Sequence, residues 1–343
     1  MQLNNILEEF NISDCYVIPF GNGLINNTWI VEAPGKKFIL QKINQNVFKT
    51  PEDIAFNIRL ISDHLQQYHS AHLLIRPLQT KSGSELLKTD EGYFRLFHFV
   101  KSSHTIDVVQ TTQQAYEAAK QFGRFTKVLS ALDPSLLKIT LPDFHNLSLR
   151  YTQFKEALLS GNKKRINRSH EVIEALQKQK NIVDEYEKIK MNADFKIRVT
   201  HHDTKISNVL FDEEDKGICV IDLDTVMPGY FISDVGDMMR TYLSTVNEEE
   251  KDFSEITIRK DFYNAIVKGY LGEMENELTR TEKKYFVYAG KFMIYMQALR
   301  FITDYLNNDI YYGSKYEEHN FIRAGNQLTL LNKLLEDEDN LIL

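Results

Sequence analysis

One run of eight residues concentrates the chemistry of this chain: His201-His202-Asp203-Thr204-Lys205-Ile206-Ser207-Asn208. Its spacing, His-x-Asp-x-Lys-x-x-Asn, gathers a carboxylate, an ammonium and an amide in one short loop, the set that phosphoryl transfer uses. In that reaction a carboxylate accepts the attacking hydroxyl's proton and holds it in line, while oxygen ligands fix Mg2+ across the phosphates. Asp203 suits the first role, and Lys205 suits neutralising charge on the transferred group. Asn208 and Asp222 suit the second, because an apolar hairpin (209–211 turning through 212–217 into 218–221) brings positions 208 and 222 side by side. Asp224 either binds a second Mg2+ or caps the following turn. His201 reads as scaffold of the loop rather than as a proton carrier.

Further candidates flank this segment. Asp234 precedes an expected helix over 235–243, where it serves as N-cap or as anchor of the 201–208 loop. Asp237 and Arg240 stand at i and i+3 on that helix and can pair as surface support. Residues 284–306 are apolar on nearly every side and predict a helix buried all round. Arg300 lies within it, and a buried guanidinium needs partners, either an internal ion pair or a substrate. The basic run Lys163-Lys164-Arg165 reads as a solvated loop or helix end.

The elements that must position these residues divide the chain in two. Strand patterns at 15–20, 27–32 and 37–43 are joined through Gly21-Asn22-Gly23 and Pro34-Gly35, the latter suiting a type II turn. Residues 73–75 and the hairpin 85–87/93–100, turning at Asp90-Glu91-Gly92, add further strands. Between them Thr50, Pro51 and Asp53 form a capping box ahead of Ile54, Ile58, Ile61 and Leu65 at helical spacing. The expectation is an α+β lobe of five strands and one helix over 1–100. A larger, mostly helical lobe follows over 101–343, with long helices at 112–132 and 169–189.

Competing motifs fit less well. The chain contains no Gly-x-x-x-x-Gly-Lys-Ser/Thr, which excludes a P-loop enzyme. Gly21 and Gly23 lie between strands rather than before a helix, so they suit a flap over ATP phosphates and not a dinucleotide fingerprint. For the flap's basic partner the third strand offers Lys42, with Glu52 as its ion-pair partner, while alternation leaves either Gln41 or Lys42 facing the cleft. The run 220–226 also matches the Asp-x-Asp-x-Thr/Val pattern of haloacid-dehalogenase-type phosphatases, in which the first acid, here Asp222, attacks phosphate. That fold places its motif on the first strand of a parallel βα domain, whereas here the motif closes an antiparallel hairpin.

Composition narrows the partners. A net charge of −7 argues against nucleic acid and against an anionic membrane surface. Cys15 and Cys219 are far apart and form no metal-spaced pair, which suits a reducing compartment. Neither a signal-peptide pattern nor a membrane-spanning apolar run is present. A cytoplasmic protein is expected; the oligomeric state is left open, and a monomer is compatible with the sequence.

The motifs at 201–208, 222–229, 234–240 and 298–306 together resemble the bacterial N-acetylhexosamine 1-kinases. These belong to the aminoglycoside phosphotransferase and choline kinase superfamily, whose fold is protein-kinase-like. The likeness extends forward to 21–28, 40–44 and 93–100 and so spans nearly the whole chain. It implies ATP- and Mg2+-dependent phosphorylation of the anomeric hydroxyl of N-acetylglucosamine or N-acetylgalactosamine. Arg300, with Tyr311 or Tyr312, would contact the sugar, and Arg240 is placed with them on the substrate side. Val235 departs from the Asp-Phe-Gly-Asp of some relatives and alters pocket shape near the helix start. A neutral sugar makes no demand for a basic pocket. Choline, an aminoglycoside or another sugar is the alternative acceptor.

Overall fold

Alternating side chains in the first hundred residues give a five-stranded antiparallel sheet. The computed structural model describes residues 3–21 and 25–341; Gly23 lies outside the described residues. After a short helix α1 (Leu3–Glu8) come β1 (Tyr16–Pro19), β2 (Asn27–Ala33) and β3 (Lys36–Ile43) as a meander. Gly35 makes the tight β2–β3 turn at φ +72°, a conformation that favours glycine. Helix α2 (Pro51–Tyr68) precedes β4 (Leu87–Thr89) and β5 (Gly92–His98), and the sheet order is β1-β2-β3-β5-β4.

Three expectations for this part differ from the structure. Residues 73–75 form no strand; the chain instead runs irregularly past the sheet, where Leu78 N donates to the Leu96 carbonyl at 2.7 Å. The capping box at α2 does not form. Thr50 makes no side-chain cap bond, and Asp53 N donates to the Thr50 carbonyl at 3.0 Å instead. Helix α1 was not expected, and its Ile6 and Leu7, with Phe10, cover the outer face of the sheet against Val31, Phe38, Leu40, Phe94 and Leu96.

The rest of the described chain is mostly helical. Helices α3 (Thr112–Val128), α4 (Leu147–Ser160), α5 (Lys163–Arg168), α6 (His170–Lys178) and α7 (Asn181–Met191) come first. Two ribbons follow: β6 (Arg198–Thr200) pairs with β9 (Met227–Gly229), and the hairpin β7 (Val209–Phe211)/β8 (Gly217–Val220) lies between them in sequence. Then come α8 (Phe231–Tyr242), α9 (Lys260–Met274), α10 (Arg280–Lys283), α11 (Phe286–Leu306) and α12 (His319–Glu336). The single helix expected over 169–189 breaks between α6 and α7. Buried tyrosines of α11 take backbone carbonyls on both sides of the break, Tyr295 donating to Leu176 and Tyr288 to Ile182 at 2.7 and 2.8 Å. Among the described residues no helix is long and apolar enough to cross a membrane.

The main core does not respect the lobe division. Ile54, Ile58, Ile61 and Leu65 of α2 join the same apolar cluster as Phe122, Phe211, Tyr242 and Met296. Asn57 of α2, wholly buried, donates to the Lys138 and Val226 carbonyls at 2.9 and 3.0 Å. This helix therefore ties the small sheet to the segment that carries Asp222 and Asp224.

Candidate active site

The 201–208 loop is held from below by α8. Asp234 lies in that helix's first turn and is not its N-cap, which is Tyr230. Its carboxylate accepts the backbone N–H groups of His201 and His202 at 3.0 and 2.7 Å. Burial pushes Asp234 up to about 7, against those two hydrogen bonds. One turn on, Asp237 accepts from Thr204 N at 2.9 Å, and Tyr242 donates to the Thr204 carbonyl at 2.7 Å. Gly229 of β9 lets its strand approach closely, since a Cβ there would lie 2.4 Å from both His202 Nε2 and Thr200 Oγ1. The loop's backbone is thus fixed before any of its side chains acts.

The side chains follow from that frame. His201 is buried, its Nε2 2.9 Å from the Ile221 carbonyl, so it joins the loop to the end of β8. Asp203 receives Asn208 Nδ2 at 3.0 Å and faces Lys205 Nζ at 3.1 Å. Burial raises the Asp203 pKa, but Lys205, His201 and the Asn208 hydrogen bond outweigh it and hold the carboxyl below its ordinary value. Burial also pushes His202 down to about 4, so its ring is neutral at physiological pH.

Asp222 follows β8 at φ +60°, and Ile221 N donates to the Asn208 carbonyl at 2.9 Å, which sets positions 208 and 222 together. The strand before Asp222 is antiparallel to β7, not the first strand of a parallel βα unit as the phosphatase pattern expects. Asp222 opens to solvent at the cleft. Desolvation by the cleft walls, with Asp224 and Asp203 nearby, pushes it up to about 7. Asp224 is nearly inaccessible. Its carboxylate accepts from Arg95 Nη1 at 2.5 Å and Asn26 Nδ2 at 2.8 Å, across the interface between sheet and helical part. Among the described residues no group of three His, Cys, Asp or Glu is placed to hold a metal by itself.

The β3 residues separate as pleating demands. Gln41 pairs in register with Arg95 and accepts from its Nε and Nη2 at 3.0 and 2.8 Å. Lys42 pairs with Phe94 on the opposite face, its ammonium 5.7 Å from that ring's centroid. The Lys42–Glu52 ion pair is absent: Glu52 accepts from the Tyr93 hydroxyl and lies 4.0 Å from Lys88. Successive side chains point to opposite faces of a strand, so Gln41 and Lys42 cannot both face the cleft. Gly21, at φ +76°, lies in the β1–β2 connection just after β1.

Beside the 201–208 loop lies a basic, aromatic-lined patch, although the chain is acidic overall. Arg300 hydrogen-bonds to Gln297 Oε1 at 3.2 Å, and its guanidinium carbon lies 5.7, 5.9 and 5.4 Å from the ring centroids of Phe144, Tyr311 and Tyr312. Tyr311 itself is exposed. Arg150 donates to Gln153 Oε1 and to the Asp143 carbonyl. Among the described residues neither arginine forms an ion pair. Burial, with the charges of Arg300, Arg240 and Arg150, holds the His145 pKa well below its ordinary value and so keeps the ring neutral. Its ring lies 5.2 Å from that of His202, beside the Asp203 loop. The Asp237–Arg240 pair is buried rather than at the surface, and Arg240 also donates to Glu248 at 2.8 Å. Its guanidinium is therefore occupied within the protein.

Sequence reasoning missed Arg95, Asn26, Arg150 and His145. Arg95 was legible as the cleft-facing partner of Gln41 once the hairpin register was laid out. The other three carry no local signal, because only the packing of distant segments brings them to the site.

This architecture recurs in solved structures. A microcompartment-associated aminopropanol kinase superposes with a TM-score of 0.64 at 14% identity, covering 99% of this chain and 97% of that one. Spectinomycin phosphotransferase, in complex with ADP and spectinomycin, gives 0.58 at 14% over 98% of both chains. Choline kinase from Cryptosporidium parvum gives 0.59 at 15% over 97% and 92%. At these identities the likeness establishes the fold, a protein-kinase-like one. The sequence model of the phosphotransferase enzyme family, APH, matches residues 17–273, three-quarters of the chain, and the protein therefore belongs to that family of phosphotransferases.

Proposed function

We propose that the protein is an ATP- and Mg2+-dependent kinase that phosphorylates the anomeric hydroxyl of an N-acetylhexosamine, in a cytoplasmic setting. The observation that carries the acceptor is the pair Arg150 and Arg300, which have no carboxylate partner among the described residues, with Arg300 standing against Phe144, Tyr311 and Tyr312. Guanidinium donors and aromatic faces suit a polar ring rich in oxygen acceptors. The same positive charge repels a quaternary ammonium or a polycationic aminoglycoside, so choline and aminoglycosides fit less well. Spectinomycin phosphotransferase with bound ADP supports a nucleotide as co-substrate.

Each residue then has a chemical task. Asp203, kept ionised by Lys205 and Asn208, accepts the hydroxyl proton and orients the oxygen. An anomeric hydroxyl is more acidic than an ordinary alcohol, so a weak carboxylate base suffices. Lys205 balances charge on the group in transit. Asn208 and Asp222 offer an amide oxygen and a cleft-facing carboxylate, a hard pair too small to hold a cation alone. That fits Mg2+, which takes one or two protein oxygens and completes its shell with phosphates and water. The ion supplies charge neutralisation across the phosphates. Asp224 would join it only on leaving Arg95.

The deciding experiment measures nucleotide consumption with N-acetylglucosamine, N-acetylgalactosamine, simple hexoses, choline and aminoglycosides, then locates the phosphate by NMR. Turnover of an N-acetylhexosamine with phosphate on C1 is expected. Preferred turnover of choline or an aminoglycoside, or phosphate on another carbon, would overturn the assignment.

A further inference from the structure

A nucleotide polyphosphate needs a cation in the cleft, and β3 does not supply one. Its cleft-facing residue is the neutral Gln41, while Lys42 stands on the far face, its Cε beside Gly92 and Gln45. Lys205 is engaged with Asp203 on the acceptor side. One strand away, Arg95 occupies the position opposite Gln41 and reaches Asp224, with both side chains only 3% exposed. Asn26, close to the glycine-bearing β1–β2 connection, holds the other oxygen of Asp224 at 2.8 Å, and its own Oδ1 accepts from Asn44 N at 3.0 Å. Arg95 therefore sits where that connection, the middle of the sheet and the Asp222 segment meet.

We propose that Arg95, and not Lys42, is the cation that binds the nucleotide's phosphates, held ready in the cleft by Gln41 and Asp224. This rests on reading the site as that of a nucleotide-dependent kinase. The guanidinium fork is engaged through Nε, Nη1 and Nη2, which leaves one N–H on each terminal nitrogen for phosphate oxygens. Arginine matches phosphate geometry bidentately, and charge-assisted bonds of this kind are the strong ones. On phosphate binding Arg95 would exchange Asp224 for the phosphate, and the freed Asp224 carboxylate would be available to hold Mg2+.

The test separates phosphate binding from mere bracing of the sheet. Calorimetric titrations with ADP plus Mg2+, and with adenosine, are run on the wild type, Arg95→Gln, Arg95→Lys and Lys42→Gln. Arg95→Gln is expected to weaken ADP about tenfold or more while adenosine binds as before, since only the phosphates lose a contact. Lys42→Gln is expected to bind both ligands like the wild type. If Arg95→Gln does not fold, the ADP-to-adenosine ratio is read on Arg95→Lys, which keeps the charge and loses the fork, and a fall in that ratio is expected. Equal losses for both ligands, no loss for either, or a selective ADP loss in Lys42→Gln would overturn the proposal. A wild-type protein that binds neither ligand would instead overturn the nucleotide-kinase reading on which it rests.

Discussion

Asp203 is useful because its neighbours oppose its burial. Lys205 at 3.1 Å and the Asn208 amide at 3.0 Å help hold its pKa below the ordinary value although burial raises it. Asp203→Asn keeps the shape and removes the base, so turnover is expected to fall about a thousandfold. Affinity for ADP measured by titration should stay within about twofold, and near-wild-type turnover would remove Asp203 from the base role. Asp222 has the opposite balance. Desolvation and the nearby acids raise it to about 7, above the unfolded value, so the native state binds the extra proton between about pH 4 and 7. The metal-free fold therefore loses stability as pH rises through that window. Asn tolerates the left-handed backbone at this position. Asp222→Asn is expected to raise the melting temperature of metal-free protein at pH 8, with the gain fading as pH falls toward 4. Solvent in the cleft keeps the effect to roughly 1–2 °C. A thermal melt series with and without a chelator checks it.

Helix α8 does two things at once. Its Asp234 and Asp237 hold the loop backbone, and its opposite face packs on α11. Close approach of the two helices depends on Gly236, where an added Cβ would lie 2.4 Å from the Ala289 carbonyl oxygen. Gly236→Ala must push the helices apart, at a cost of about 1–3 kcal/mol measurable by denaturant titration. Because α8 carries the anchors of the Asp203 loop, turnover should drop in the same variant while ADP still binds. A variant as stable and active as wild type would show that the helices accommodate the methyl. The hairpin β7/β8 works in the same way on a smaller scale: ordinary antiparallel pairing brings Asn208 to the residue preceding Asp222.

At the scale of the molecule the two lobes share one interior. Ile54, Ile58, Ile61 and Leu65 lie in the core of the helical part, and Asn57 satisfies carbonyls at 138 and 226. A chain beginning at residue 101 would expose the surface these side chains cover, and it is expected to lack a cooperative melt by circular dichroism. A sharp thermal transition in that fragment would show that the helical part folds without α2. Across the same interface the buried Arg95–Asp224 pair is the polar counterpart of the α2 contact.

Local spacing decided which side chains stand together in the 201–222 segment. The run from His201 to Asn208 and the return to Asp222 were legible because a loop and a tight hairpin fix neighbours within about twenty residues, with no help from the rest of the chain. Period-two alternation likewise gave the sheet and narrowed its cleft-facing residue to Gln41 or Lys42, but it could not say which face was the cleft. That choice came from packing: α1 covers the Phe38, Leu40 and Phe94 face, which leaves Gln41 and Arg95 toward Asp224. The basic patch around Arg150 and Arg300 was hidden for a related reason. Net charge sums over the whole surface, while Arg150 and Arg300 come together because α4 and α11 meet there, and contacts between residues so far apart exist only once the chain has folded.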